Sequence, residues 1–555
     1  MSEPTVALQL LDVLREFGVN TIFGIPGGNV AAVYMALLER PDVRIINAKH
    51  ETGAVFMALG YALATGRPGV VLTIAGPGIT NALTGIASAY YEHVPVIHIA
   101  GEVPRSSFGR GAVQEGSAST HDSVELARRF TKFSAQINRA GSAAAVLRKA
   151  INTCYSGRRG PAFLSLPFDV ANQPAARQRI AGSVRSSFDI DAPSCKHAME
   201  LLEGAERPMI LAGAGTREAT SRRALRRLAE HLGCPVAVTT KGKGVFPEDH
   251  PLYLGVFGFG GHDSVIDYLT EGVDVLLACG SGLNDLATNA WSPLLKPKSA
   301  FIQIDVDAAQ LGKNYELELG LLGPTDAVVS RMLEHRSDKP QRRAVMWSGP
   351  TYAPADVSKK GMLSTIEVVK VLNEVCPSNS VFTADMGEHM SAVLHYLKVR
   401  DGGDFHISLG FGSMGSGICS AIGYQLGSVD RRVYAVCGDG GFLMSGCELA
   451  TAVQYKIPVT FLIVNDARLN MVEHGLRDIY GATPDFSTQL VDFSMFAASM
   501  GARGAIIHTR DELIAALKLP TDGPQVLDIR IDPDVRLIGS QRVAALKQFR
   551  EVPHS

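Results

Sequence analysis

The stretch "VYAVCGDGGFLMSGCELATAVQYKIPVTFLIVND", residues 433–466, opens and closes on a run of β-formers, and each run stops at an aspartate. Between the runs lie a glycine pair and about one helix's worth of chain, a pattern that predicts strand, turn, helix, strand. Such a unit returns its second strand parallel to the first by a right-handed crossover. Both strand ends then lie on one edge of the sheet, where open α/β sheets bind ligands. Asp439 follows the first strand and Asp466 the second, so their carboxylates are expected to converge. Gly438, Gly440 and Gly441 permit close backbone approach and leave N–H groups at a helix start, which is an anion site. Two carboxylates beside an anion cradle call for a hard divalent cation. Mg²⁺ takes oxygen ligands in an octahedron, commonly one or two carboxylates plus substrate phosphates.

The same alternation of apolar strand and helix runs along the chain in three blocks. Residues 1–180 contain "TIFGIPGG", "VVLTIAGPG" and "VPVIHIAGE". A connection near "DIDAPS" (189–194) leads to a central block, 190–335, with "PMILAGAG", "CPVAVTT", "VDVLLACGSG" and "AFIQIDVD". A polar, basic, Pro-bearing linker, 336–360, precedes a third block, 361–533, with "SVFTADMG", "RVYAVCGDGG", "PVTFLIVND" and "PQVLDIRID"; residues 534–555 form a tail. Apolar strands alternating with helices predict α/β architecture, with parallel sheets covered on both faces. The expected fold is three doubly wound domains. Residues 70–102 and 433–466 share an order of parts: strand, Gly-x-Gly turn, helix, Tyr, then a Pro opening the next strand. Matching blocks at the two ends of a chain suggest an ancient duplication.

The bulk numbers agree with an enzyme of several domains. The 555 residues exceed one core. At 46 % apolar and 19 % charged, the composition is that of a globular chain. A formal net charge of −2 favours neither nucleic acid nor anionic membrane. The eight cysteines are scattered without a C-x-x-C pair, which predicts buried thiols in a reducing compartment. There is no apolar run of transmembrane length, and "MSEPTVALQL" lacks a basic leader. A cytoplasmic protein is expected.

G-D-G, 24 intervening residues and then N-D resemble the signature of thiamine diphosphate enzymes. Further blocks resemble the acetolactate synthase group within them: "FGIPGGNVAAVY" (23–34), "KHETGAVFMALGYALATGRPGVVLTIAGPGITN" (49–81), "AVQE" (112–115), "KGKGVFPEDHPLYLG" (241–255), "ADMGEH" (384–389) and "GFGSMGSGICSAIGYQLG" (410–427). The resemblance spans nearly the whole chain. It implies a pyrimidine-binding N-terminal domain, a central domain and a diphosphate- and metal-binding C-terminal domain. It also implies thiamine diphosphate and Mg²⁺ as cofactors, the metal being held by Asp439, Asp466 and the carbonyl of Arg468. The family usually carries Asn where this chain has Asp466.

Glu51 opens a segment whose Val55, Ala58, Leu59 and Ala62 recur at helical spacing. A carboxylate there either favours the helix start through the dipole or, withdrawn from water, bonds a ring nitrogen and relays a proton. The resemblance implies the second role, toward the cofactor's aminopyrimidine. Glyoxylate carboligases lack this glutamate. By the same resemblance Met414 wedges the cofactor into its bent shape, and Gln114 lines the reaction chamber. Gly387, Glu388 and His389 touch the diphosphate, and Met471 belongs to the cofactor-binding segment. Acetolactate synthases often carry Gln at the position of Glu388. Where they carry a Trp that selects the second 2-oxo acid, this chain has Gly475. His93 and His474 are open between substrate contact and structure.

"LAGAGTREA" (211–219) is on its own a weak dinucleotide signal. In the resembled family the central block binds FAD, ADP or nothing, and all three stay open. The implied reaction decarboxylates a 2-oxo acid, most simply pyruvate, and transfers the acyl unit to a carbonyl acceptor. The implied assembly is a homodimer or homotetramer with active sites between subunits. A related lyase, decarboxylase or synthase with another donor or acceptor, or a silent paralogue subunit, is the alternative.

Overall fold

A computed structural model of the chain describes residues 4–175, 188–338, 347 and 349–536, apart from 356, 359 and 521. Most of the 534–555 tail therefore lies outside the described residues. The first sheet comprises β1 (Thr21–Gly24), β2 (Arg44–Asn47), β3 (Gly69–Thr73), β4 (Val96–Glu102), β5 (Phe133–Gln136) and β6 (Ala162–Pro167). The central sheet holds β7 (Met209–Ala212), β8 (Val236–Thr239), β9 (Tyr253–Phe257), β10 (Val275–Cys279), β11 (Ala300–Asp305) and β12 (Leu319–Leu322). The third holds β13 (Val381–Ala384), β14 (Asp404–Ile407), β15 (Val433–Gly438), β16 (Thr460–Asn465), β17 (Arg503–Ile507) and β18 (Gln525–Arg530). Every pairing within them is parallel.

The spatial orders are β2-β1-β3-β4-β6-β5, β12-β11-β10-β7-β8-β9 and β14-β13-β15-β16-β18-β17. Numbered from its own first strand, the third sheet repeats the order of the first, while the central sheet does not. The two similar stretches, 70–102 and 433–466, are the third and fourth strands of their sheets in both cases. In the outer sheets the chain reverses its direction of growth between the first and third strands, and crevices at such switch points take ligands.

The helix Glu51–Thr65 joins the two outer domains. It is buried from Gly53 to Ala62 rather than along one stripe, as expected of a helix enclosed by two domains. Its partner is the helix Ser416–Gly427. A Cβ on Gly423 would stand 1.8 Å from the Met57 carbonyl oxygen, so only glycine permits this backbone approach. One apolar core runs from Phe23 and Val71 through this helix pair to Val381, Phe461 and Val526.

Some connections differ from their sequence reading. Residues 192–194 already form the first turn of the helix Ala192–Gly204, with Asp191 at its N-cap and Pro at the start, where a missing N–H costs nothing. The described part of 336–360 docks on the protein instead of running free. Trp347 packs edge-on against Tyr268, and Tyr352 stacks on Tyr396. The span after Asp439 is not one helix but Asp439–Ser445, a 3₁₀ turn at Gly446–Glu448, and Leu449–Gln454. Seven cysteines are buried, but Cys447, in that turn, is exposed.

Candidate active site

Three neighbouring strands of the third sheet each end on an aspartate. Asp385 follows β13, Asp439 follows β15 and Asp466 follows β16. The register pairs Ala384 with Val436 and Gly438 with Val464, which brings the three positions to one sheet edge. Sequence reasoning quoted Asp385 without assigning it a role. It is fully buried and accepts from the amides of Gly415 (2.9 Å) and Gly417 (3.0 Å). Burial pushes its carboxyl up to about 6 against those hydrogen bonds. It thus ties the loop that carries Met414 to the end of β13. A Cβ on Gly441 would lie 2.2 Å from the Asp385 Oδ2, so this glycine is required by the carboxylate beside it.

Asp439 is 7 % exposed and begins the helix Asp439–Ser445. Burial pushes its carboxyl up, while the amides of Gly440 and Ala467 pull it down. Asp466 is pushed up to about 7, first by burial and then by the charge of Asp439. Its Oδ1 accepts from the Arg468 amide (3.2 Å) and its Oδ2 from Asn470 Nδ2 (2.7 Å). The turn between them is strained: Ala467 has φ 52°, a left-handed conformation costing a side chain roughly 1–2 kcal/mol. It is held by Thr488 N–H to the Ala467 carbonyl and Leu469 N–H to the Phe486 carbonyl. These bonds make Arg468 and Ser487 a non-hydrogen-bonded antiparallel pair. Arg468 therefore turns its own N–H and C=O away from Ser487, to the side where its N–H meets Asp466.

Two like charges this buried are costly alone and favourable around a divalent cation. The donor set therefore fits Mg²⁺: two carboxylates and one carbonyl, with the remaining positions left for phosphate and water oxygens. Among the described residues no group of three or more His, Cys, Asp or Glu side chains is poised for a metal, so a site built only from such side chains is not present there. The glycine turn fits an anion. A Cβ on Gly440 would meet Leu469 Cδ2 at 3.2 Å and Met414 Cε at 3.5 Å, so Met414 and Leu469 flank it. His389 is buried with its Nε2 unpartnered; burial holds the ring down at about 4, hence neutral. Its Nδ1 would lie 3.5 Å from a Cβ on Gly438. Gly387 has φ 157°, and Glu388 bonds His474 Nδ1 at 2.7 Å. Met471 is half-exposed at the start of the helix Asn470–Tyr480.

The unfolded chain titrates an aspartate near ~3.9, so the metal-free fold holds the Asp466 proton more tightly than the unfolded chain does. That contribution to stability is complete below about pH 4 and is lost as pH rises through about 7. Asp466→Asn should therefore stabilise the metal-free protein at pH 8, by on the order of 3 kcal/mol, and leave it little changed at pH 4. Thermal unfolding in chelator at the two pH values measures this. A difference between variant and wild type that does not grow with pH would remove the strain from Asp466.

Residues assigned to the N-terminal domain gather elsewhere. Glu51 is 8 % exposed, and its Oε2 accepts from Asn81 Nδ2 at 3.0 Å. The C-terminal residue beside this helix start is Glu448, which accepts from the amides of Lys49 and His50 (2.9–3.1 Å). Gln114, at φ 64°, lies against Gly76 at the end of β3, and its Oε1 is 3.5 Å from Asn29 Nδ2. His93 lies 3.4 Å from Arg158, which in turn pairs with Asp305 of the central domain. Asn81, Leu469, Asn470 and Glu448 had no role in the sequence reading. Their signal is spatial: each is a neighbour of a site residue through folding.

The Gly-Ala-Gly turn has most of its amides engaged. Those of Gly213, Gly215, Thr216 and Arg217 donate to backbone carbonyls.

A doubly wound fold with a paired-carboxylate, glycine-turn site next to a switch point is of the kind that suits a diphosphate ligand. Three family models match in order: "Thiamine pyrophosphate enzyme, N-terminal TPP binding domain" over residues 4–123, "central domain" over 195–332 and "C-terminal TPP binding domain" over 385–529. The chain is 33 % identical over 547 residues to the "Probable acetolactate synthase large subunit" of Methanocaldococcus jannaschii, covering 94 % of this chain and 91 % of that one. It is 30 % identical to the "Acetolactate synthase isozyme 2 large subunit" of Escherichia coli, covering 94 % and 95 %. An X-ray structure from Mycobacterium smegmatis, assigned as a thiamin diphosphate-dependent enzyme, superposes with a TM-score of 0.83 at 26 % identity, covering 95 % and 99 %. The chain belongs to the thiamine pyrophosphate-dependent enzymes, in the acetolactate synthase-like group. Among the described residues no helix is long and apolar enough to cross a membrane.

Proposed function

We propose that the protein is a Mg²⁺-dependent carboligase that decarboxylates a 2-oxo acid, pyruvate in the simplest case, and passes the acyl unit to a carbonyl acceptor. The observation that carries this reading is the buried Asp439–Asp466 pair beside the Gly438–Gly441 turn, on a chain that also keeps Glu51 buried. Thiamine diphosphate bound there supplies the sink for the electron pair left as CO₂ departs. The chain supplies the rest. Asp439, Asp466 and the Arg468 carbonyl would hold the metal, while Gly440 and His389 would border the diphosphate. Met414 would pack against the cofactor, and Glu51, fixed by Asn81, would exchange a proton with a ring nitrogen. Gln114 would line the reaction chamber. Mass spectrometry of products from pairs of 2-oxo acids, with cofactor and Mg²⁺, tests the activity; release of no CO₂ from any donor would overturn it.

A homodimer completes this site. Glu448, rather than Asp439 or Met414, covers the Glu51 helix within one chain. Leu443 and Met444, on the Asp439 helix, are 56 % and 63 % exposed, the apolar surface a second copy would cover. The free, mostly buried thiols support a reducing, cytoplasmic setting.

The acceptor pocket is wider than that of ordinary acetolactate synthases. Gly475 lies inside the helix Asn470–Tyr480, where glycine costs roughly 1 kcal/mol against alanine, so no turn demands it. A Cβ there would meet nothing within 4 Å. Gly475→Trp should restrict the acceptor to small 2-oxo acids, with a bulky acceptor losing at least tenfold in kcat/KM relative to pyruvate. Equal acceptor profiles for variant and wild type would sink this assignment.

A further inference from the structure

Glu388 and His474 form a contact whose consequence lies in the charge count of the site. Glu388 stands at the N-cap position of the helix His389–Tyr396 without a side-chain capping bond, and His474, 6 % exposed, projects from the helix Asn470–Tyr480. Both helices border the metal position. Asn470, one turn before His474, donates to Asp466, and His389, next to Glu388, lies against Gly438 at the start of the glycine turn. Glu388 thus stands close to the Asp439–Asp466 pair, in a place that must also accept a diphosphate. One divalent cation offsets that pair and leaves Glu388 without a counter-charge from the metal. The nearby guanidinium of Arg468 is directed to Glu473 and Asp534, and that of Arg477 to Glu473. The side chain applied to Glu388 is His474, whose Nδ1 lies 2.7 Å from Oε1 and, against a carboxylate, is the donor.

Resting on the functional reading above, we propose that His474 is a positioning residue that engages the Glu388 carboxylate and holds it away from the diphosphate, so that cofactor and metal load more weakly when Glu388 is left without this partner. His474→Ala should leave Glu388 unopposed and weaken binding of thiamine diphosphate at saturating Mg²⁺ at least tenfold. Adding Glu388→Gln to that variant should recover most of the loss. The Glu388→Gln change should improve binding at least fivefold more in the His474→Ala background than in the wild-type background. A residue that merely packs would show no such dependence.

Isothermal titration of the full chain with cofactor and Mg²⁺ reads all four proteins without any assay of turnover. If the alanine variant does not fold, His474→Gln takes its place in the cycle, with the same coupling expected at smaller size. Wild-type binding with no recovery in the double variant overturns the pairing alone. Failure of wild type to bind overturns the functional reading and the pairing with it. Binding by His474→Ala as tight as wild type also overturns the pairing.

Discussion

Asp439→Ala is expected to abolish measurable binding of thiamine diphosphate and Mg²⁺ while the fold persists. The variant removes one of two carboxylates from the metal and leaves the diphosphate charge without its counter-ion. Breaking a buried charged partnership costs about 3–5 kcal/mol, or two to nearly four orders of magnitude in affinity. The fold should survive because burial already disfavours the charged Asp439 in the metal-free protein. Titration calorimetry with both ligands, beside circular dichroism, measures it. Binding within tenfold of wild type would exclude Asp439 as a metal ligand.

Glu51→Gln should bind cofactor normally and slow proton removal from the thiazolium C2 by about 10²–10⁴-fold, the usual contribution of a positioned acid–base group. The amide is nearly isosteric, and its oxygen can still accept from Asn81, which bonds Glu51 at 3.0 Å. What is lost is a group able to take and return a proton. Hydrogen–deuterium exchange at C2 of the bound cofactor isolates this step from substrate binding. Exchange at the wild-type rate would leave Glu51 with only a structural role at the start of its helix.

Eleven of the eighteen strands are legible as apolar runs between turn residues, and all eleven are interior to their sheets. The strands that escape are the six edge strands and β6. At an edge, one side has no strand neighbour and the faces are often wet. β2, β12 and β17 accordingly mix buried with partly or fully exposed positions, and β5 is partly exposed throughout. β9 and β14 are edges too, yet fully buried. Their cover comes from other parts of the chain, as with Arg217 and Arg222 at Asp404. β6, "AFLSLP", carries a serine within its run and ends in proline, which mutes its strand signal.

Local spacing by itself determined the alternation of strands and helices, the duplication, and the placing of Asp439 and Asp466 on one sheet edge. Each of these follows from period and chain direction: a parallel crossover leaves its two strand ends together whatever surrounds them. Tertiary structure alone decided that Asp385 anchors the Met414 loop, that Glu448 covers the Glu51 helix, and that Glu388 meets His474. It also decided that Gly475 faces open space and that the glycine amides of the central Gly-Ala-Gly turn donate to carbonyls at the end of β10. These partners stand far apart in sequence or depend on what a neighbouring segment fills. A hydrogen bond or an empty volume is a property of the pair, and no periodicity along one segment records it.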